Sequence, residues 1–328
     1  MNGQTNMTTI WRKLSFLPRW RHMKSVHPEF ELGNGTGVGA PRHILWRGKE
    51  VGRTLPLTAL ARPKFTDCFI VASGPSLASQ DLSVLRGRTC IGVNGSICKA
   101  EESGFAFDYH VIADRKFAVD RFELVERILQ SPADCLLSFR VLNEICARRA
   151  ELLARDRIFL LSEINSHYGV ARLGPSAFRR WAAQQTDLLI PDDGCLPRLA
   201  ARHPHRVGFS RRLDMGVFTA QTVAFIALQI AYALECRRAF LLGVDLGGDG
   251  FGRFYENASN AAPTRLARDL EPYILPSFEL TGRLRESFAI FNLSPDSALP
   301  EMSIPRLTLE QAIELCDRSN SDECAANQ

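Results

Sequence analysis

Small and polar residues follow several short apolar runs in this sequence, and their types suit the binding of a phosphate-bearing ligand. The segment FIVASGPSL places Ser73, Gly74, Pro75 and Ser76 directly after such a run. Glycine lets the backbone approach a ligand closely, proline fits a first helical position, and the N–H groups of a helix's first turn attract anions. The pattern predicts a phosphate-binding turn. It matches neither the Walker loop nor the GxGxxG fingerprint, so it indicates neither an ATPase nor an NAD enzyme.

Other polar residues end later apolar runs. Asn94 and Gly95 follow IGV, Asp114 follows YHVIA, and Asp245 follows AFLLGV, before a Gly-rich stretch that contains Tyr255. In an open parallel sheet, ligands bind beyond the carboxyl ends of the strands. Turns in general also favour Gly, Asn and Asp, so a sheet without a site would show similar ends. We interpret these ends as a binding site.

The elements that must hold these residues are seven short apolar runs separated by helical segments. Runs of this length, apolar on both faces, predict parallel strands buried between two helix layers. The sequence therefore predicts an α/β fold with a Rossmann-like, mostly parallel sheet and helices on both faces. A buried helix is predicted over 217–234 and a shorter amphipathic helix over 308–316. The predicted strands are 68–72, 89–93, 109–113, 135–137, 157–161, 239–244 and 288–293.

Length and composition predict how the chain is divided. With 328 residues, 45% hydrophobic and 23% charged, the chain suits one large α/β domain with added arms. We predict a basic, Gly-rich N-terminal arm over 1–62, a sheet domain over 63–316 with a lid at 246–287, and a disordered tail over 317–328. The longest apolar run is well short of the ~20 residues that a membrane crossing needs.

The arm and the cysteines bear on location and partners. Residues 10–24 mix Trp, Leu and Phe with basic residues, which suits an anionic membrane surface, but Pro18 breaks the helix that such binding favours. A disordered or packed arm is the alternative. The net charge of +4 gives no reason to expect nucleic acid as a partner. Nine cysteines without a CxxC pair indicate reduced thiols and no zinc site, which predicts a cytoplasmic location, with peripheral attachment at the inner face of the membrane left open.

Taken together, these segments resemble the bacterial sialyltransferases of lipooligosaccharide synthesis and their wider relatives, the flagellin glycosyltransferases and the Kdo (3-deoxy-D-manno-octulosonic acid) transferases. The resemblance covers roughly residues 67–300. It rests on GPSL at 74–77, IGVN at 91–94, the block from MGVFTAQ to GVDLG at 215–247, and NLSPDSAL at 292–299.

The resemblance implies a glycosyltransferase that moves an acidic sugar, sialic acid or Kdo, from a CMP donor to a cell-surface glycan or glycolipid such as the lipopolysaccharide core. It implies no cofactor and no essential metal. By this resemblance Gly216 opens a helix that approaches the cytidine, and Tyr255 clamps the phosphate from the lid. The residues that it brings to the nucleotide sugar are Ser73, Gly74, Pro75, Ser76, Asn94, Gly95, Gly216, Asp245 and Tyr255.

The general base departs from the family pattern. The sialyltransferases carry a catalytic His in the segment that corresponds to 269–282, and this chain has no His there. A carboxylate can take the proton of an acceptor hydroxyl as well as an imidazole can. Asp114 is the first candidate and His167 is the second, while Glu271 and Glu279 lie in the segment that lacks the His.

Two other functions stay open on the sequence alone. A diphosphokinase of the 6-hydroxymethylpterin type also resembles the GPSL unit, but it needs ATP, magnesium and grouped acidic ligands at one strand end. A nucleotide-sugar-binding protein without catalysis is the other alternative, because loss of the family His is what decay of an active site would produce.

Overall fold

The structure, a computed structural model, describes residues 17–33, 41–63, 66–192, 194–246, 252–257 and 264–326. Parts of three predicted segments lie outside the described residues: most of the Gly-rich stretch 33–39, residues 10–16 of the basic segment, and 247–251 and 258–263 of the lid.

The described residues form twelve strands and ten α-helices. The strands are β1 (Phe30–Leu32), β2 (Arg42–Trp46), β3 (Lys49–Thr54), β4 (Asp67–Val71), β5 (Thr89–Val93), β6 (Tyr109–Ile112), β7 (Asp134–Ser138), β8 (Ile158–Leu161), β9 (Leu188–Leu189), β10 (Phe209–Ser210), β11 (Arg238–Leu242) and β12 (Ala289–Asn292). The α-helices are α1 (Ile97–Ser103), α2 (Arg115–Asp120), α3 (Phe122–Gln130), α4 (Phe139–Arg149), α5 (Pro175–Ala182), α6 (Arg198–Arg202), α7 (Val223–Ala233), α8 (Leu266–Asp269), α9 (Leu275–Leu280) and α10 (Leu309–Ala326).

Seven parallel strands form the central sheet in the order β12-β11-β4-β5-β6-β7-β8. The chain enters the central sheet at β4, in the interior of the sheet. Strands β5 to β8 follow on one side of β4, and β11 and β12 lie on the other side. The strand order therefore reverses between β4 and β11, which is where open α/β sheets bind ligands. All seven predicted strands are confirmed, and β4, β5 and β7 are buried along their whole length, as their continuous apolar sequences require.

Helices cover both faces of the sheet, which confirms the predicted fold class. Helix α7 packs on one face, in a core that includes Cys68 and Ile70 of β4. Helices α1, α3 and α4 pack on the other face, with Phe69 and Val71 of the same strand. The side chains of successive residues of β4 thus pack into the cores on opposite faces of the sheet, because side chains alternate along a strand. None of the helices among the described residues is long and apolar enough to span a membrane.

The described part of the N-terminal arm is packed against the domain. Strands β1 to β3 form an antiparallel sheet whose Phe30 and Ile44 are fully buried in the core on the α4 side. The Leu55 N–H donates to the Ile158 carbonyl of β8 at 2.7 Å, and Gly52 lies so close to the Leu153 carbonyl that a Cβ has no room. Of the alternatives for the arm, the structure favours the packed one for these residues.

The buried helix begins later than predicted. Helix α7 starts at Val223 and not at residue 217. Ala220 and Gln221 have φ angles of 42° and 59°. A right-handed helix requires negative φ, so these two residues must precede it.

Most of the predicted lid belongs to the core. Residues 266–284 are helical, and Ile274 and Phe278 are fully buried. The Phe278 ring centroid lies 5.0 Å from that of Phe225 in α7. The boundaries 246–287 were therefore too wide, because buried apolar residues at helical spacing continue past the Gly-rich loop.

The end of the chain also differs from the prediction. Helix α10 runs to Ala326 and so includes residues 317–326 of the predicted disordered tail. Its Ala312 and Cys316 are buried in the core, and Asp317 pairs with Arg88 at 2.8 Å. These contacts hold the start of the helix against the domain. The polar composition of 317–328 alone does not predict them.

Candidate functional site

The turn after β4 and the segment after β11 meet where the strand order reverses. The Ser76 N–H donates to Asp245 Oδ2 at 2.7 Å, and the Ser76 hydroxyl donates to Asp245 Oδ1 at 2.8 Å. The Gly74 N–H donates to the Gly243 carbonyl at 2.8 Å. A carboxylate of the chain itself therefore occupies the position at Ser76 where the sequence predicts a ligand phosphate.

Gly74 is required here for space. Its φ of −66° is open to any residue, but a Cβ at this position would collide with the Asp245 carboxylate and with the Gly243 carbonyl oxygen. Pro75 begins a 3-10 turn, Pro75–Leu77, and not the longer helix that the sequence predicts. The Ser76 donors that the sequence assigns to a phosphate are given to Asp245 in this structure.

Asn94 and Gly95 lie on the next strand end and face the short segment 252–257. Asn94 has a φ of 49°, and its carbonyl accepts a hydrogen bond from His110 Nε2 at 2.8 Å. Within the described ranges, its buried side-chain oxygen Oδ1 has no hydrogen-bond partner. The Tyr255 ring lies against Gly95 so closely that a Cβ would collide with it.

Tyr255 completes the group around Ser73. The Phe254 N–H donates to the Ser73 carbonyl at 3.2 Å, which brings the segment 252–257 onto the turn after β4. Burial raises the pKa of Tyr255 to about 12, so at neutral pH its hydroxyl is protonated and able to donate a hydrogen bond to an anion. The structure thus brings together most of the residues that the sequence assigns to the nucleotide.

A buried carboxylate anchors this segment. The Glu256 side chain is only 1% exposed and pairs with Arg253 at 2.6 Å and with Arg121 at 3.1 Å. Arg121 joins helices α2 and α3, on the far side of β5. The ion pairs therefore hold Tyr255 over the strand ends.

Asp114 caps helix α2 two strands away from the turn after β4. Its carboxylate oxygen Oδ1 accepts from the Lys116 N–H at 2.8 Å, and the residue is half-buried. Two strand spacings amount to about 10 Å. No hydrogen bond or ion pair among the described residues links Asp114 to the Ser76–Asp245 pair, so the structure places it at the same edge but apart.

His167 and Gly216 lie together beyond β8. A Cβ on Gly216 would come within 3.2 Å of His167 Cε1, and Gly216 has a φ of +97°. This is four strand positions from β4, or about 19 Å. Gly216 does not open a helix as predicted, because it precedes the Val217 bridge to Glu163 and the helix starts only at Val223. Burial lowers the pKa of His167, which leaves its imidazole neutral at pH 7.

Basic residues surround an open cavity of about 450 Å³ beyond β7 and β8, and three of the lining residues belong to the basic segment 10–24. Arg140 lies two residues after the end of β7, so the rule that site residues follow the carboxyl ends of strands identifies it when it is applied to β7 as well. The sequence identifies the arm residues only as part of the basic segment 10–24 and does not place them beside Arg140, because their position depends on how the arm packs. The cavity is lined by Arg21, His22, Lys24, Ser25, Arg140 and Arg172.

No group of three or more His, Cys, Asp or Glu side chains among the described residues is arranged to hold a metal ion. The eight cysteines whose side chains the structure describes are free thiols. Asp192, which precedes a second aspartate in the sequence, pairs with Arg283 at 2.8 Å. Glu271 and Glu279 are exposed on the helical segments of 266–284.

Comparison with known proteins gives one family. Residues 57–310 match the family described as 3-deoxy-D-manno-octulosonic acid transferase WaaZ. A protein of Escherichia coli K12 named "Probable 3-deoxy-manno-octulosonic acid transferase" is 28% identical over 244 residues, which is 74% of this chain and 83% of the relative. A Salmonella typhimurium LT2 protein of the same name is 26% identical over 255 residues, which is 78% of this chain and 91% of the relative.

Solved structures are also similar, among them one of a glycosyltransferase. The MAf glycosyltransferase from Magnetospirillum magneticum AMB-1 aligns with a TM-score of 0.43 and 16% sequence identity. The alignment covers 81% of this chain and 38% of the MAf chain, so the chain spans well under half of that protein.

Proposed function

The chain belongs to the family of the 3-deoxy-D-manno-octulosonic acid transferase WaaZ, and from that premise we propose that it transfers Kdo from a CMP-activated donor to a sugar of the lipopolysaccharide core. Family membership makes it a glycosyltransferase and does not favour the diphosphokinase or the binding protein without catalysis. One observation carries the proposal: the matched region 57–310 contains the whole crevice between β4 and β11, with its Ser76–Asp245 contact.

In this proposal the donor's phosphate lies at the turn after β4. The Ser76 N–H and hydroxyl are suited to an anion, since they already bind the Asp245 carboxylate. Asp245 must turn away as the phosphate enters, and then it lies beside the donor. The protonated Tyr255 hydroxyl and the Asn94 side chain supply further polar groups for the sugar phosphate.

The chemical step needs one base. A bond forms between the acceptor oxygen and the anomeric carbon of Kdo, and the bond from that carbon to the CMP phosphate breaks, so that CMP leaves with the bonding electrons. The acceptor hydroxyl gives its proton to the base. We assign this role to Asp114, because its strand β6 lies between the donor turn and the basic cavity beyond β7 and β8. His167, neutral but farther from β4, is the second candidate.

The first experiment replaces the base without disturbing the fold. Asn caps helices as well as Asp does, so Asp114→Asn preserves the start of α2. We expect turnover of CMP-Kdo to fall by about 10²–10⁴-fold, the usual contribution of a general base. CMP affinity should stay within a few-fold. The matched control is Asp120→Asn at the exposed end of the same helix, which should retain activity. Near-normal turnover in Asp114→Asn would remove Asp114 from the mechanism and direct the test to His167.

Donor identity is tested by calorimetry with CMP, CDP, UDP, GDP and ATP, each with and without magnesium. We expect binding of CMP that does not depend on magnesium, and its loss in Ser76→Tyr, whose ring fills the space at the turn. Magnesium-dependent binding of ATP in place of CMP would contradict the proposal and favour phosphotransfer.

For location we propose a cytoplasmic enzyme that touches the inner membrane face through residues 10–24. The exposed Leu17 and the basic residues that follow it in the described part of this segment support contact with anionic lipid. Co-sedimentation with phosphatidylglycerol vesicles should weaken when Leu17 and Arg19, exposed residues of this segment, are both replaced by Gln, and unchanged sedimentation would contradict membrane contact through this segment.

A further inference from the structure

The basic cavity beyond β7 and β8 is a built site. One wall is the 3-10 turn Pro18–Met23 of the arm, and the other comes from segments that follow β7 and β8. The Arg172 N–H donates to the Arg19 carbonyl at 2.9 Å, and Arg140 Nε donates to the His22 carbonyl at 3.4 Å. The arm and the sheet domain therefore form this cavity jointly. Its volume of about 450 Å³ falls in the ~300–1,000 Å³ range of small-ligand sites.

The charge of the cavity is almost entirely positive. Arg172 is half-buried and directs its Nε to the neutral Ser166 hydroxyl at 2.9 Å. Glu163 is the nearby acid, and it pairs with Arg140 at 2.8 Å. No carboxylate in the described part of the chain forms an ion pair with Arg172, Arg21 or Lys24. Burial, reinforced by neighbouring arginines, lowers the pKa of Arg172 to about 10, and a bound anion would relieve that cost.

His22 adds a second observation. It lines the cavity, is only 4% exposed, and its Nε2–H donates to the His167 carbonyl at 3.1 Å. The other ring nitrogen, Nδ1, is buried and has no hydrogen-bond partner among the described residues. Because Nε2 carries the proton, Nδ1 can only accept a hydrogen bond. Buried polar atoms in folded proteins rarely lack a partner, so Nδ1 suits a hydroxyl donor of a bound ligand, while the cations around it suit an anionic group of that ligand.

We propose that this cavity binds an oxyanion, a carboxylate or a phosphate group, on the sugar that accepts the transfer. The inference rests on the proposed function and adds to it a place for the acceptor. The cavity lies at the same edge of the sheet as the donor turn, because the carboxyl ends of all seven parallel strands share that edge. Three strand spacings, about 15 Å, separate the ends of β4 and β7, and Asp114 lies between them.

Separate variants at the rim and the base of the cavity test the proposal. Lys24→Gln removes an exposed rim cation, with Lys49→Gln on the exposed edge of β3 as its control. Arg172→Gln removes the half-buried cation, with the exposed Arg180→Gln of α5 as its control. Calorimetry uses inorganic phosphate, free Kdo and CMP as probes at fixed ionic strength, because screening weakens exposed charge pairs.

We expect both cavity variants to weaken binding of phosphate and of free Kdo by tenfold or more, and to leave the Kd for CMP within twofold. In the transfer assay, KM for the acceptor should rise while KM for the CMP sugar stays constant. The two controls should behave as the wild type does. If Arg172→Gln fails to fold, Lys24→Gln and the exposed Arg21→Gln carry the test.

Three results would overturn the inference. Unchanged acceptor KM in folded cavity variants would remove the cavity from acceptor binding. A parallel loss of CMP affinity would assign the cavity to the donor. Loss of binding to phosphatidylglycerol vesicles with unchanged binding of the sugar anions would assign its cations to lipid. Absence of any transfer by the wild type, with phosphate binding intact, would instead contradict the proposed function and leave the anion site standing.

Discussion

The contact between Ser76 and Asp245 yields a quantitative prediction, because one carboxylate accepts two hydrogen bonds from one residue. Their lengths are 2.7 and 2.8 Å, and both residues are half-buried. A hydrogen bond to a charged group contributes about 1.5–3 kcal/mol, and water access favours the lower end of that range. We therefore expect Asp245→Ala to lower the free energy of unfolding by about 3 kcal/mol, and Ser76→Ala, which removes only the hydroxyl bond, to lower it by about 1.5 kcal/mol.

A double-mutant cycle measured by urea unfolding isolates the hydroxyl bond. Once Asp245 is alanine, loss of the Ser76 hydroxyl should have little further effect, so the coupling energy should be about 1.5 kcal/mol. Ser79→Ala, an exposed serine in the same turn, is the matched control and should change stability by less than about 0.5 kcal/mol. Additive effects, with a coupling energy below about 0.3 kcal/mol, would refute the claim that the carboxylate holds this turn.

The same pair predicts how CMP binds. If the donor phosphate replaces the carboxylate at Ser76, the two anions compete for the same donors. Like charges 4 Å apart repel by about 1 kcal/mol in water and by more in a half-buried site, so Asp245→Asn should raise the affinity for CMP about fivefold or more. Calorimetry measures this directly. A tenfold loss of affinity would show that Asp245 binds the nucleotide and does not compete with its phosphate.

Two further predictions concern the neighbouring strand end. Gly95→Ala places a methyl group where the Tyr255 ring lies, so CMP affinity should fall about tenfold by calorimetry, whereas Gly174→Ala, with open space around it, should leave it unchanged. His110 is fully buried with a pKa lowered to about 4, chiefly by burial. Its stabilising effect is complete above pH 6.5 and is lost as pH falls towards 4, by about 3 kcal/mol in all, since each pKa unit is worth about 1.4 kcal/mol. Between pH 7 and pH 4.5, the free energy of unfolding measured in urea should fall less in His110→Gln than in the wild type. An equal fall in both proteins would show that His110 does not cause the loss of stability.

The strands and the residues at their ends were predictable from the sequence. Strands buried on both faces must be apolar throughout, and runs such as 89–93 leave few other interpretations. Turns at the carboxyl ends then follow directly along the chain. Ser76, Asn94 and Asp114 were therefore identified without any knowledge of strand order.

The contact across the crevice was not predictable in the same way. Asp245 follows Ser76 by 169 residues, and the two meet only because β11 pairs with β4. Strand order is a property of tertiary packing, and local sequence does not state it. The prediction that Gly216 opens a helix fails for a similar reason. The apolar residues before Val223 have helical spacing, but Ala220 and Gln221 have positive φ angles, which a right-handed helix does not allow.

The arrangement along the sheet edge also limits where the acceptor can approach. The segment 252–257 covers the ends of β4 and β5 and is held there by the buried Glu256 ion pairs, so an acceptor cannot reach the donor from that side without breaking them. The ends of β7 and β8 carry the open basic cavity. In the proposed reaction, an anionic acceptor that enters there would reach the end of β6 before it reaches the turn after β4. On this path the hydroxyl of the acceptor sugar passes Asp114 before it reaches the anomeric carbon of the donor. His167 lies beyond β8, farther from the donor than Asp114 is, and this is the geometric reason to prefer Asp114 as the base.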